Sequence, residues 1–214
     1  NTVRMMEIGR NALYFEDYVL SIQYFNQVID AKPFLHEPYF FRGLAKFYLD
    51  DYTGAEQDLD VAIEKNPYVA RSYQLRGLCR ANLDSLELAE QDIRAGIKYD
   101  PQNINMWQNL AAILMQANQW ERAVGVVDSL LLFAPRNSAA HVMRTQVAMN
   151  MQDTLKALEM SNKAVALDKY SANVDDARSM VHYAMGAYED AETDLNKSID
   201  LLPGRSHSYA NRGL

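Results

Sequence analysis

One cysteine, Cys79, occurs in 214 residues, which excludes an intrachain disulfide and leaves the redox compartment open. No run of about 18 apolar residues occurs, so no segment reads as a membrane-spanning helix. Positive charge is in short supply. The 21 lysines and arginines against 28 acids leave a net charge of -7, which disfavours nucleic acid and anionic lipid, since both reward a basic surface. No phosphate loop, nucleophile elbow or dinucleotide fingerprint occurs. The four histidines, His36, His141, His182 and His207, never fall two to a helical turn, so metal-ligand spacing is missing. His182 takes a core-facing helical position and reads as a packed histidine; Cys79, beside Gly77, reads as a buried, inert thiol. The sequon Asn196–Ser198 falls in a helix with its serine in a core column and reads as fortuitous. Neither catalysis nor a cofactor nor a resident metal is expected, and no targeting pattern assigns a compartment.

What is present is a period of 34. Pro33, Pro67, Pro101 and Pro135 are spaced by it, and Pro203 falls two periods further on, with Lys169 in the skipped slot. Pro38, off this grid, sits where a helix should begin, which suits its fixed φ and missing N–H. Counting each repeat so that its proline is position 32, position 8 reads Gly9, Gly43, Gly77, Ala111, Thr145, Ser179, Gly213, and position 20 reads Ser21, Ala55, Ala89, Ala123, Ala157, Ala191. Both columns are small, as two helices require where their backbones approach most closely. Position 24 (Phe25, Leu59, Ile93, Val127, Ser161, Leu195) and position 28 (Ile29, Ile63, Ile97, Leu131, Val165, Ile199) supply the apolar stripe of a second helix. The expectation is an all-α chain: a helix near positions 2–14, a short turn, a helix near 17–30 and a proline-marked stop, in every unit.

A charged pair is embedded in the pattern. Position 7 is arginine at Arg42, Arg76, Arg178 and Arg212, and position 23 is acidic at Asp58, Asp92 and Asp194. Where position 7 is apolar (Ile8, Leu110), position 23 is Tyr24 or Val126; Arg144 opposite Met160 breaks the rule. The columns switch together as residues that touch would. An arginine row also reads as a carboxylate or phosphate binder, but an available internal partner favours pairing across the hairpin.

The period, Trp107, Leu110 and Ala111, and the strings YFFRGL, YQLRGL and YANRGL opening at Tyr39, Tyr73 and Tyr209 resemble the tetratricopeptide repeat family. The YxxRG style is similar to that of bacterial members. The resemblance covers units 2–35, 36–69, 70–103, 104–137, 138–171 and 172–205, with 206–214 as the start of a seventh, and implies one array across 1–214: a tandem helix-turn-helix solenoid, coiled as a right-handed superhelix. His141 and Asp175 at position 4, Ser161 and Lys169 depart from the pattern, and looser packing is expected there.

The family's concave wall is lined through positions 2, 5, 9, 12 and 13. Carried over, the first two units present Met6, Arg10, Leu13, Tyr14, Phe40, Leu44, Phe47 and Tyr48, with Tyr14, Phe40 and Tyr48 as groove anchors and Leu13, Leu44 and Phe47 read equally as groove or as core between adjacent repeats. Further on the wall offers Gln74, Asn82, Asn105, Gln108, Gln116, Gln146, Asn150 and Asn173, interleaved with Met115, Met149 and Met180. Such amides form either a solvated face or a ladder pairing with an extended peptide backbone; the candidate readers are Gln74, Asn82, Gln108, Gln116 and Asn150. The family's carboxylate clamp for chaperone C-termini is absent: its positions hold Met6, Arg10, Phe41, Arg71 and Leu75, or one unit later Phe40, Leu44, Leu75, Asn105 and Asn109.

The resemblance therefore implies a non-catalytic scaffold that takes a protein or an extended peptide in its groove, with no nucleic acid and no membrane insertion. The alternative is an interaction module whose parent protein carries enzymatic or sensor activity outside these residues. Residues 206–214 open a repeat without its second helix, so further chain is expected past Leu214, or end-to-end self-association through that truncated unit.

Overall fold

The computed structural model describes residues 1–201, which hold twelve α-helices and no strand. They run α1 (Thr2–Tyr14), α2 (Tyr18–Ala31), α3 (Glu37–Tyr48), α4 (Tyr52–Lys65), α5 (Ala70–Asn82) and α6 (Leu86–Tyr99). Then follow α7 (Ile104–Gln116), α8 (Trp120–Phe133), α9 (Ser138–Asn150), α10 (Thr154–Leu167), α11 (Ala172–Ala184) and α12 (Tyr188–Leu201). The expected bounds recur with the period of 34, and Pro38 stands in the first turn of α3. The chain divides into two compact units, Asn1–Ile113 and the residues from Leu114 on. The expectations for Pro203, Tyr209, Arg212 and Gly213 lie outside the described residues.

The turns obey a rule that composition does not display. Position 15 adopts a positive φ in every repeat: Glu16 (62°), Asp50 (59°), Asp84 (60°), Asn118 (57°), Gln152 (61°) and Gly186 (76°). Only one of these is glycine, so five side chains accept a conformation that crowds Cβ. The turn compensates with hydrogen bonds. The N–H after each of these residues donates to a carbonyl five residues earlier, as Asp17 to Ala12, Asp51 to Lys46, Ser85 to Arg80 and Asp153 to Ala148. Asp17, Asp51 and Asp153 then cap the next helix, accepting from the N–H groups of Leu20, Gly54 and Lys156. One short turn closes one helix and opens another.

Within each unit the small columns sit at the helix seam. A Cβ added to Gly9 would lie 2.7 Å from the Phe25 ring, and one added to Gly77 would lie 2.8 Å from Ile93, so the glycines are there for close approach. Phe25, Leu59 and Ile93 are fully buried, each worth about 1.5–3 kcal/mol of apolar burial. The expected stripe needs one correction. Position 28 is only half-buried at Ile29, Ile63, Ile97, Leu131 and Val165, whereas position 27 (Val28, Ala62, Gly96, Leu130, Ala164, Ser198) is buried throughout. The inward-facing column of the second helix is thus position 27, and the position-28 side chains of these five repeats lie along its flank.

Three of the departures from the repeat pattern, Ser161, His141 and Asp175, remain buried, and Lys169 is exposed. Ser161 is fully buried, its hydroxyl donating to the Leu158 carbonyl at 3.0 Å. At position 4, the Tyr73 hydroxyl donates to the Pro67 carbonyl at 2.8 Å, and Trp107 Nε1 to Pro101 at 2.8 Å. His141 keeps this grip through Nε2 and the Pro135 carbonyl at 2.9 Å, which requires the proton on Nε2 and leaves a buried Nδ1 without a hydrogen-bond partner. Asp175 keeps the burial and not the bond: Lys197 Nζ lies 3.4 Å from its Oδ1 as an ion pair, and neither carboxylate oxygen has a hydrogen-bond partner. Burial pushes the Asp175 carboxyl above its ordinary range, against the opposing pull of Lys197.

The arginine column pairs inward, as expected, and reaches further than expected. Arg42 Nε and Nη2 donate to Asp58 at 2.9 and 2.6 Å, Arg76 to Asp92 at 3.0 and 2.7 Å, and Arg178 to Asp194 at 3.1 and 2.6 Å. The bond to Asp58 raises the Arg42 pKa further still, against the desolvation that lowers it. Two more columns complete the network. Position 11 adds a second donor wherever position 23 is aspartate: Lys46 lies 3.0 Å from Asp58, Arg80 2.9 Å from Asp92 and His182 2.8 Å from Asp194. His182 is thus half-buried and hydrogen-bonded to Asp194 through Nδ1, not the packed core histidine expected. Position 25 of the preceding repeat accepts from each arginine, as Asn26 from Arg42, Asp60 from Arg76, Asp128 from Arg144 and Asn162 from Arg178. Arg144 therefore has a partner although Met160 stands at position 23. These bonds tie successive repeats as well as the two helices of one.

Candidate functional site

In the first unit the open face is the cleft between α1 and α3, a groove of about 940 Å³. Met6, Arg10, Leu13, Tyr14, Leu44 and Tyr48 line it as the repeat positions predict. Tyr14 and Tyr48 are 81% and 52% exposed, enough ring surface for a partner to cover. Tyr18 was not anticipated; it comes from the start of α2 and stacks on Tyr48 with centroids 5.2 Å apart and planes at 21°. Desolvation, then Glu16 and Tyr48, raises the Tyr18 phenol above its ordinary pKa and keeps it a hydrogen-bond donor. Arg10 covers the Phe41 ring at 5.0 Å, holding a cation on an apolar wall.

Phe40 is a correction. It is only 7% exposed and belongs to the core with Leu59, Leu75 and Cys79, its ring capped by the Arg71 guanidinium at 5.1 Å. Position 5 of the second repeat faces the seam where α5 docks on α3, and a large ring there is swallowed by the next hairpin. Phe40 does not line the groove.

The amides are less available than an open ladder requires. Gln74 Nε2 donates to Asn109 Oδ1 at 2.9 Å, and Asn82 Nδ2 to the Leu78 carbonyl of its own helix at 2.9 Å. Asn150 does the same, donating to the Gln146 carbonyl at 2.9 Å, and Gln108 is also engaged. Asn82 and Asn150 stand in the last turn of their helices, and each side-chain amide folds back on the carbonyl one turn earlier as a second donor to it. Gln74, Asn82 and Asn150 each keep a second N–H and the amide oxygen for a ligand. Gln116, also exposed, ends α7.

The second unit has its own cleft, between α9 and α11, of about 650 Å³. Gln146, Asn150, Asn173, Met149 and Met180 line it, as the repeat positions predict. Val142, Asp168 and Asp176 join them. Among the described residues no group of three or more His, Cys, Asp or Glu side chains could hold a metal ion, and no helix is long and apolar enough to cross a membrane. The cysteine thiol is buried, and desolvation followed by Glu56 pushes its pKa up to about 12.

Residues 84–147 match the family model for the tetratricopeptide repeat. No curated protein matches the chain in sequence. Among solved structures, PilW, a type IV pilus biogenesis factor, superposes with a TM-score of 0.83 at 13% identity over 98% of this chain and 97% of its own. A chain of the APC/C hetero-tetramer Cut9–Hcn1 superposes at 0.76 with 14% identity over 100% of this chain, which spans 42% of that one. YrrB, described as having an unusual peptide-binding site, superposes at 0.64 with 16% identity over 89% of this chain and 98% of its own. Such identities carry the fold alone. The chain is built of tetratricopeptide repeats, a fold that commonly mediates protein–protein or peptide binding.

Proposed function

We propose that the chain is a non-catalytic scaffold that holds an extended protein segment along the face of its first helices. The observation that carries the reading is the α1–α3 groove, where Tyr14, Tyr18 and Tyr48 hold large ring surfaces at an open cleft. Rings of this kind lose little side-chain entropy on binding and dominate most interfaces. The deeply buried thiol, held protonated at neutral pH, supports a role without covalent chemistry. The peptide-binding site named for YrrB is in line with this reading. The test is selection of peptides on purified residues 1–214, followed by titration against variants. Tyr48→Ala or Tyr14→Ala should weaken the selected peptide by about 2 kcal/mol. An affinity indifferent to both, and to Gln146→Ala in the second groove, would remove the site from this face. The same experiment applies whether the array acts alone or serves a larger polypeptide.

A further inference from the structure

We propose that the α9–α11 groove receives a cationic segment, a lysine or arginine set in an otherwise apolar stretch of the partner. The inference rests on the groove reading above and adds the chemistry that one groove selects. Its lining contains Asp168 and Asp176 and no lysine, arginine or histidine. Part of the donor capacity at the rim is engaged: one N–H of Asn150 Nδ2 on the Gln146 carbonyl, and Ser138 Oγ towards Asp168 Oδ2 at 3.4 Å. An arriving chain meets the amides of Gln146, Asn150 and Asn173, which donate and accept alike, and two carboxylates with no cation beside them in the lining. An anionic segment would be repelled by those carboxylates, and a cation would be drawn in.

Depth strengthens the preference. Asp176 is 6% exposed, so its field is screened less than that of a surface carboxylate. It already has an interaction within the protein, and a carboxylate with several lone-pair sites can take a further donor. Met149 and Met180 supply flexible, polarisable walls that suit the methylene stem of a lysine or arginine. The α1–α3 groove has less of this bias, since Arg10 and Lys32 offset two of the three carboxylates, Glu7, Glu16 and Glu37, in its lining.

The experiment uses the full chain and three labelled nine-residue peptides of alternating leucine and serine, with the central residue arginine, serine or glutamate. Anisotropy titrations should rank arginine over serine over glutamate, with about tenfold between the extremes, narrowing as salt is raised. Asp176→Asn and, separately, the half-exposed Asp168→Asn should compress that ranking without altering the serine peptide. Because Asp168→Asn alters a less buried site, it keeps the test valid if Asp176→Asn melts early. Methyl-labelled methionines should show Met149 and Met180 shifting with the arginine peptide and Met6 unmoved. Equal affinity for all three peptides overturns the cation preference and leaves the groove reading standing. A preference that survives both aspartate changes, or that shifts Met6 instead, also overturns it. Failure of every peptide to bind sinks both readings together.

Discussion

The two units build the same helical hairpins and finish them differently. In Asn1–Ile113 two successive hairpins, α3–α4 and α5–α6, are pinned by buried aspartates that each take a position-7 arginine and a second cation, and the groove is walled by tyrosines. From Leu114 on, the α9–α10 hairpin replaces the aspartate with Met160, and the groove is walled by methionine, amide and carboxylate. The backbone is indifferent to this choice because the small columns at positions 8 and 20 set the helix spacing in both units. Side chains outside those columns are free to specialise, and the α11–α12 hairpin shows it by returning to the charged solution with His182 as second donor.

The comparison breaks first, and hardest, at the ion networks. Asp92→Ala removes the buried partner shared by Arg76 and Arg80, leaving them Asp60 and Glu56, and should cost about 3 kcal/mol in denaturant unfolding. Arg144→Met, in the hairpin that lacks the aspartate, frees only Asp128, which is half-exposed, and should cost about 1 kcal/mol or less. Equal losses would mean that the networks are not what separates the units.

A smaller effect is expected at the turns, where the units should agree. Gln152→Gly and Glu16→Gly relieve a side chain from a positive φ of 61° and 62° and should each stabilise by about 1 kcal/mol. Gly186→Ala, at 76°, should destabilise by a similar amount. Thermal melts of the three variants decide the matter, and a destabilised Gln152→Gly would show that the side chain contributes more than its strain costs.

The smallest effect distinguishes units through pH. Asp175, in the second unit, has a raised pKa from burial, so its neutral form is favoured on folding. Its contribution is fully present below the unfolded carboxylate pKa and is lost as pH rises through the folded value. Asp175→Asn should therefore raise the melting temperature at pH 7 and leave it nearly unchanged at pH 3. A loss at pH 7 would show that the ion pair with Lys197 outweighs the burial.

Much of this was legible in the residues because a repeat writes the same constraint several times. A period of 34, two small columns and an apolar column determine helices, their bounds and their pairing, since each small residue recurs where backbones must meet. The Arg–Asp pairing was readable as covariation, and the same signal was present and unread at two further columns. Position 11 is Lys46, Arg80 or His182 only where position 23 is aspartate, and position 25 is Arg94 only where the next position 7 is Leu110. Those columns need spatial knowledge because their partners come from another helix or the preceding repeat. Only tertiary structure decided that Phe40 is core while Tyr48, eight residues on, is open. Both are aromatic residues at positions that line the groove elsewhere in the family. Burial depends on what the following hairpin brings against them, here Arg71 and Leu75, and no local pattern contains that information. The amides show the same division: their row is written in the sequence, but only the formed helix brings the carbonyl one turn earlier within reach of the Asn82 and Asn150 donors.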